Sequence, residues 1–165
     1  METRLVAYTS ILALDLGCKT GWALRTFAGN ICHGTQEFKT ERFSGGGMRY
    51  LRFNNWLEEI TAGVERIAYE EVRRHLSTDS AHAYGGFFAT LASFCESNKI
   101  PYEGIPVGTI KKFATNRGNA GKPEMIAAAV AAGFAPEDDN AADALHILRF
   151  IEARNNNLKN LSSIS

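Results

Sequence analysis

The chain has 165 residues, 45% of them apolar and 22% charged, the make-up of one ordinary globular domain with a proper core. Its 18 basic residues balance its 18 acidic ones, so net charge alone argues for no nucleic-acid partner, and any such case rests on local clusters. Cys18, Cys32 and Cys95 are odd in number and widely scattered, which excludes a disulfide framework and a cysteine-based zinc site and makes a reducing cytoplasm the expected setting.

After a short polar leader, residues 10–14 form a continuous apolar run stopped by Gly17, the pattern of a buried strand. The run is far too short to span a membrane, and no basic leader with a small-residue cleavage site is present, so neither export nor a membrane is expected. Residues 21–27 and 31–38 read as two more strands around Ala28-Gly29-Asn30, whose Gly and Asn suit a hairpin turn. Gly45-Gly46-Gly47 ends regular structure. Beyond it Met48, Leu51, Trp56, Leu57, Ile60 and Val64 recur at helical spacing among charges, which predicts an amphipathic helix.

Residues 66–70 then form a strand, followed by a polar loop and a helix over 79–97 with Asp79 as its N-cap. Residues 100–105 form a shorter strand with Pro101 near its start, where a missing N–H is tolerable. Helices over 107–116, 123–132 and 140–154 complete the chain. Pro123 opens the second of these and Gly133 follows its end, while Asp138, Asp139 and Asn140 can cap the third. The tail after Arg154 is expected to fray, leaving an ordered core of about residues 10–154 in a single domain spanning 1–165. The expected fold is α/β: a mixed five-stranded sheet, three antiparallel strands and then two parallel ones, flanked by helices.

Three separated segments place a carboxylate at the edge of an apolar element. Asp15 ends the first strand and begins the pattern Asp-x-Gly-x-x-x-Gly through Gly17 and Gly21. Glu70 ends the fourth strand beside Glu71, and strand alternation sends the two to opposite faces, so only one can join Asp15. On the last helix Asp139 and Asn140 lie four and three residues before Asp143 and share its face, with small alanines between. Taken singly, Asp15 could cap a turn, Glu70 or Glu71 could sit in a surface ion pair, and Asp138 and Asp139 could cap the helix. Asp143 fits no such account, since it lies inside an apolar helix. Convergence on divalent metal is the economical reading, and oxygen-only ligands favour Mg²⁺ or Mn²⁺. Two such ions about 4 Å apart suit in-line phosphodiester hydrolysis.

Ala13-Leu14-Asp15-Leu16-Gly17 with Thr20-Gly21, Ile67-Ala68-Tyr69-Glu70-Glu71-Val72, and Asn140-Ala141-Ala142-Asp143-Ala144-Leu145 together resemble the three acidic motifs of RuvC-type Holliday-junction resolvases, in the same order. The resemblance runs from about residue 11 to 154 and is nearer the phage-borne branch than the bacterial housekeeping one. It implies an RNase H-like fold, a homodimer, two Mg²⁺ ions per site and paired nicking of four-way junctions. Asp15, Glu70 and Asp143 carry over as catalytic metal ligands. Where the family often has a fourth aspartate this chain has Asn140, so Asp139 is expected as the fourth carboxylate, with Asn140 a second ligand or a spectator.

Lys122 follows a Gly-rich turn at a helix start, close to where related resolvases place a catalytic lysine, and that turn could also offer N–H groups to a phosphate. Lys111, Lys112, Arg117, Arg73 and Arg74 are expected to position phosphates, with a solvated basic face as the plain alternative. Arg73 stands where the family often stacks an aromatic residue on a junction base. His75, His82 and Tyr84 are loosely placed substitutes for it. The helix over 79–97, with Tyr84, Phe87, Phe88, Leu91 and Phe94, is either a dimer interface or core. Rival readings are a nuclease on forks, flaps or RNA–DNA hybrids, and an ATP-binding domain like those of the actin and sugar-kinase group. The latter needs a second domain for which 165 residues leave no room.

Overall fold

The computed structural model describes residues 8–162; the polar leader, residues 1–7, and residues 163–165 of the tail lie outside the described residues. In chain order the elements are β1 (Ile11–Asp15), β2 (Lys19–Arg25), β3 (Ile31–Glu37), α1 (Met48–Ile60), β4 (Arg66–Glu71), α2 (Thr78–Asn98), β5 (Tyr102–Pro106), α3 (Val107–Thr115), α4 (Lys122–Ala131) and α5 (Asp139–Ser162). The sheet order is β3-β2-β1-β4-β5, antiparallel across β1, β2 and β3, with β4 and β5 parallel to β1. This is the expected mixed sheet. Its consequence for function is that β1, β3, β4 and β5 all end at one edge.

β1 is apolar up to Asp15 because it is covered on both faces. Leu12 and Leu14 join Ile67, Tyr69, Phe53, Leu57, Phe87 and Leu91 in a core beneath α1 and α2. Ile11 and Ala13 face the other way, into a core shared with Ala68, Ile110, Met125 and the apolar residues of α5. Each fully buried Leu, Ile or Phe contributes about 1.5–3 kcal/mol, so the two cores hold β1 from either side. The face toward α5 is lined by the small side chains Ala13, Ala23 and Ala68, met by Ala141, Ala142 and Ala144, and the helix packs close.

Two details depart from the sequence reading, and a third settles between its alternatives. The N-cap of α2 is Ser77, not Asp79: Ser77 Oγ accepts the Ser80 N–H at 3.1 Å while Ser80 Oγ accepts the Ser77 N–H at 3.2 Å. A reciprocal hydroxyl box starts the helix earlier, and Asp79 sits in its first turn, where a negative charge suits the helix dipole. The segment beyond Arg154 does not fray but continues α5 to Ser162, since no Gly or Pro interrupts it. The aromatic face of α2 is mainly core: Phe87, Leu91 and Phe94 are buried, with Tyr84 and Phe88 packed at the margin.

Candidate active site

The site is assembled at the edge where β1 and β4 end. Leu14 pairs with Tyr69 across the parallel strands, so the next residues, Asp15 and Glu70, emerge side by side on the α5 face. Alternation turns Glu71 to the opposite face, where its carboxylate meets Arg73 at 3.2 Å. The turn after Asp15 is held by Thr20, whose hydroxyl donates to the Gly17 carbonyl at 2.7 Å. Tyr84, on α2, secures the end of β4: its hydroxyl donates to the Glu70 carbonyl at 2.8 Å and accepts the Val72 N–H at 3.2 Å.

The third segment arrives on α5. Asp138 caps that helix, accepting the Ala141 N–H at 2.9 Å, and also accepts the Thr35 hydroxyl at 2.6 Å, while Glu137 accepts the Thr35 N–H at 2.5 Å. The first turn of α5 is thereby tied to β3. It crosses β2 at Gly21, the register partner of Asp15, where a Cβ would lie only 1.9 Å from the Asn140 carbonyl oxygen. Only glycine permits that approach. The second glycine of the Asp-x-Gly-x-x-x-Gly pattern thus lets α5 carry Asp139 and Asp143 up to Asp15.

Four carboxylates then crowd one edge. Burial first, and then the charges of Glu70 and Asp143, hold the Asp15 carboxyl well above the usual carboxylate range, and Asp15 and Glu70 hydrogen-bond each other. Glu70 is itself raised by burial, opposed by that hydrogen bond and by Lys111. Asp143 is pushed up to about 7 by burial and by the charges of Glu70 and Asp139, against the pull of Lys111 and Lys122. Asp139 is paired with Lys122 Nζ at 2.6 Å.

This donor set fits a hard divalent cation. All its donors are oxygens, and Asp143 Oδ1 is buried without a hydrogen-bond partner. Among the described residues no three His, Cys, Asp or Glu side chains converge tightly enough to hold an ion as they stand. Asp15 and Glu70 face each other, and Asp139 faces Lys122; a cation would replace those contacts.

The other expected residues divide. Lys111 lies within electrostatic reach of Glu70 and Asp143, and Lys122, the first residue of α4, reaches Asp139, Asp143 and Asp15. Lys112 is exposed on α3. Arg117, on the α3–α4 turn, pairs with Glu124 at 3.1 Å. Glu124 also accepts the Gly121 N–H at 2.9 Å, so that amide is engaged within the turn. Arg73 and Arg74 are exposed beyond β4. The Asn140 side chain hydrogen-bonds Asp138 and takes part in the helix cap. Thr35 and the Tyr84 clamp went unread in the sequence, where a strand threonine and a helix tyrosine carry no distinguishing signal.

No family model matches the chain, and no curated protein matches it. Solved structures do. The fold is similar to Thermus thermophilus RuvC in complex with a Holliday junction substrate, with a TM-score of 0.71 and 19% identity over 85% of this chain and 90% of that one. A second T. thermophilus RuvC structure gives a TM-score of 0.65 and 19% identity over 84% and 90% of the two chains. The yeast mitochondrial Holliday junction resolvase Ydc2 gives 0.59 and 13% identity over 88% and 78%. The chain therefore has the fold of the RuvC-type resolvases that its motifs resemble.

Proposed function

We propose that this protein is an endonuclease that hydrolyses phosphodiester bonds in branched DNA, four-way junctions above all, using divalent metal held by Asp15, Glu70, Asp139 and Asp143. The observation that carries the reading is the gathering of these four carboxylates, from β1, β4 and α5, at one edge, where Asp15 and Asp143 are raised by burial and mutual repulsion. Crowding like charges in a half-buried place costs stability, and a cation site is the use that offsets the cost. The fold shared with the RuvC structures, one of them in complex with a Holliday junction substrate, supports DNA as the substrate.

Mg²⁺ or Mn²⁺, when bound, supplies charge neutralisation at the scissile phosphate and acidifies the attacking water. The chain itself supplies the placement. Asp15 and Glu70 are fixed by paired strand ends, and Asp143 by the docked helix. Lys122, beside Asp139, and Lys111 face the phosphate and stabilise the charge that builds on it. Lys112, Arg117, Arg73 and Arg74 lie outside this centre and serve backbone phosphates. Cutting two symmetry-related strands calls for two copies of the chain about a twofold axis.

Labelled four-way junctions, forks, flaps and RNA–DNA hybrids, incubated with Mg²⁺, Mn²⁺ or a chelator and no ATP, test the reading. Paired nicks in the junction are expected with either metal and none in chelator. Asp15→Asn should lower the rate about a thousandfold, since metal stabilisation amounts to several kcal/mol at about 1.4 kcal/mol per tenfold. Full cleavage by Asp15→Asn would refute the site. Faster cutting of flaps or hybrids would move the substrate, and ATP hydrolysis without DNA would favour phosphotransfer.

A further inference from the structure

A cleft around the sheet edge from the carboxylates has no part in that chemistry. It measures about 340 Å³ and is lined by Gly46, Arg49, Tyr50, Asp79, His82 and Ala83, between the starts of α1 and α2. The loop from β3 to α1 runs into it. Residues 39–52 carry Lys39, Arg42, Arg49 and Arg52 with Phe43 and Tyr50 among them; Lys39 pairs with Glu37 at 2.8 Å and Arg52 with Glu41, which leaves Arg42 and Arg49 as the cations outside an acidic pair. Basic groups interleaved with aromatic rings make a platform for unpaired nucleotides: the cations hold phosphates, and the rings stack on bases of any sequence.

The loop tip is constructed to show its ring. Ser44 N–H donates to the Glu41 carbonyl at 3.1 Å, closing a turn with Arg42 and Phe43 at its centre. Arg52 anchors that turn through Glu41 at 3.1 Å and the Lys39 carbonyl at 3.2 Å. Phe43 is left 95% exposed, with the Arg42 guanidinium 5.7 Å from its ring centroid. Arg49 lines the cleft; its Nε is buried without a hydrogen-bond partner, and its Nη1 donates to Cys18 Sγ at 3.4 Å. Cys18 follows Asp15 by three residues, at most about 11 Å of chain, or roughly three nucleotide steps of 3.4 Å. A Cβ at Gly45, Gly46 or Gly47 would meet nothing within 4 Å, so packing does not require glycine there. Their freedom lets the loop settle onto a base.

We propose that this loop and cleft hold an unpaired nucleotide next to the branch, its base stacked on Phe43 and its phosphate on Arg49. Asp79, the one acid lining the cleft, repels phosphate but can accept from the amino group of a base, which sets the base toward α2. The inference rests on the branched-DNA reading, and its test separates the two.

A four-way junction carrying 5-iodouracil at the branch is bound in chelator, so that nothing is cut, and then irradiated. The crosslink should map to Phe43 by mass spectrometry. Phe43→Ala should bind the junction about tenfold more weakly, and Phe43→Trp should restore affinity, with melting temperatures unchanged because the side chain touches little of the fold. Equal affinity of Phe43→Ala and wild type, or a crosslink mapping elsewhere, overturns the proposal. So does a change in self-association with unchanged DNA affinity, which would make Phe43 a contact between copies. If wild type neither binds nor cuts branched DNA, the functional reading itself fails and takes this inference with it.

Discussion

Aiming a carboxylate takes more than placing it on a strand. Glu70 is the last residue but one of β4 and lies just past Tyr69, the last residue of that strand in register with β1. The Tyr84 hydroxyl fixes the strand there, bridging the Glu70 carbonyl and the Val72 N–H. Tyr84→Phe keeps the ring against Phe88 and His75 and removes only the bridge, at a cost of about 1 kcal/mol in stability. We expect junction cleavage to fall about tenfold, because small misplacements at a reacting centre are costly, with junction affinity in chelator unchanged. A rate equal to wild type would show that the bridge holds the strand without aiming Glu70. Asp15, Glu70 and Asp143 were legible in the sequence because each interrupts an apolar run. Asp139 was preferred to Asn140 on charge alone, and the role of Asn140 stayed open, since adjacent residues at a helix start differ in direction only once the cap is known. Asp138 takes the Asn140 amide into the cap, and Asp139 is left facing Lys122.

At the scale of elements, α5 closes the core on its own face of the sheet and carries part of the site, and His146 shows how it is held. The ring is fully buried, its Nε2–H donating to the Met125 carbonyl of α4 at 2.9 Å and its Nδ1 accepting from Arg149 at 3.0 Å. Burial, aided by the Arg149 charge and opposed by the Met125 carbonyl, holds its pKa below the usual histidine value. The unfolded chain takes up this proton near pH 6.5, the folded chain only lower, so between those values the unfolded state binds more protons. The contribution of His146 is therefore whole above about pH 6.5 and lost as pH falls toward the folded value. Asp143, raised to about 7, works in the opposite sense, because acid relieves its repulsion. The clean measurement is a difference. Denaturant unfolding of wild type and His146→Gln should give a stability gap that is widest above about pH 6.5 and narrows in acid; a gap constant with pH would remove His146 as the cause. Element type and order were legible from periodicity and turn residues. Ends were less so: at α2 a Ser77–Ser80 hydroxyl pair outcompetes Asp79 for the cap, and at α5 polar composition does not end a helix that lacks Gly and Pro.

For the whole molecule, zero net charge conceals segregation. Asp15, Glu70, Asp139 and Asp143 gather at one edge with Lys111 and Lys122 in electrostatic reach, while Lys112 on α3, Arg117 on the turn into α4, and Arg73 and Arg74 beyond β4 are exposed. A protein with no excess charge is not drawn to DNA over long distances, so its affinity must come from close contact of these side chains with phosphates. Such contacts release counterions, and binding weakens with salt at a slope of about −0.9 per phosphate neutralised. Five contacts would give a slope of about −4 to −5 in a plot of log affinity against log salt for a junction held in chelator. Lys112 is exposed, and no ion pair at 4.0 Å or less involves it among the described residues, unlike Arg117, which is shared with Glu124. Lys112→Ala should therefore reduce the slope by about 1 and weaken binding similarly on every branched substrate, as expected for a phosphate contact. Arg117→Ala should change it by less, because part of its charge is already neutralised. A slope indifferent to Lys112 would place the DNA on the opposite side of the carboxylate edge, toward Arg73 and Arg74.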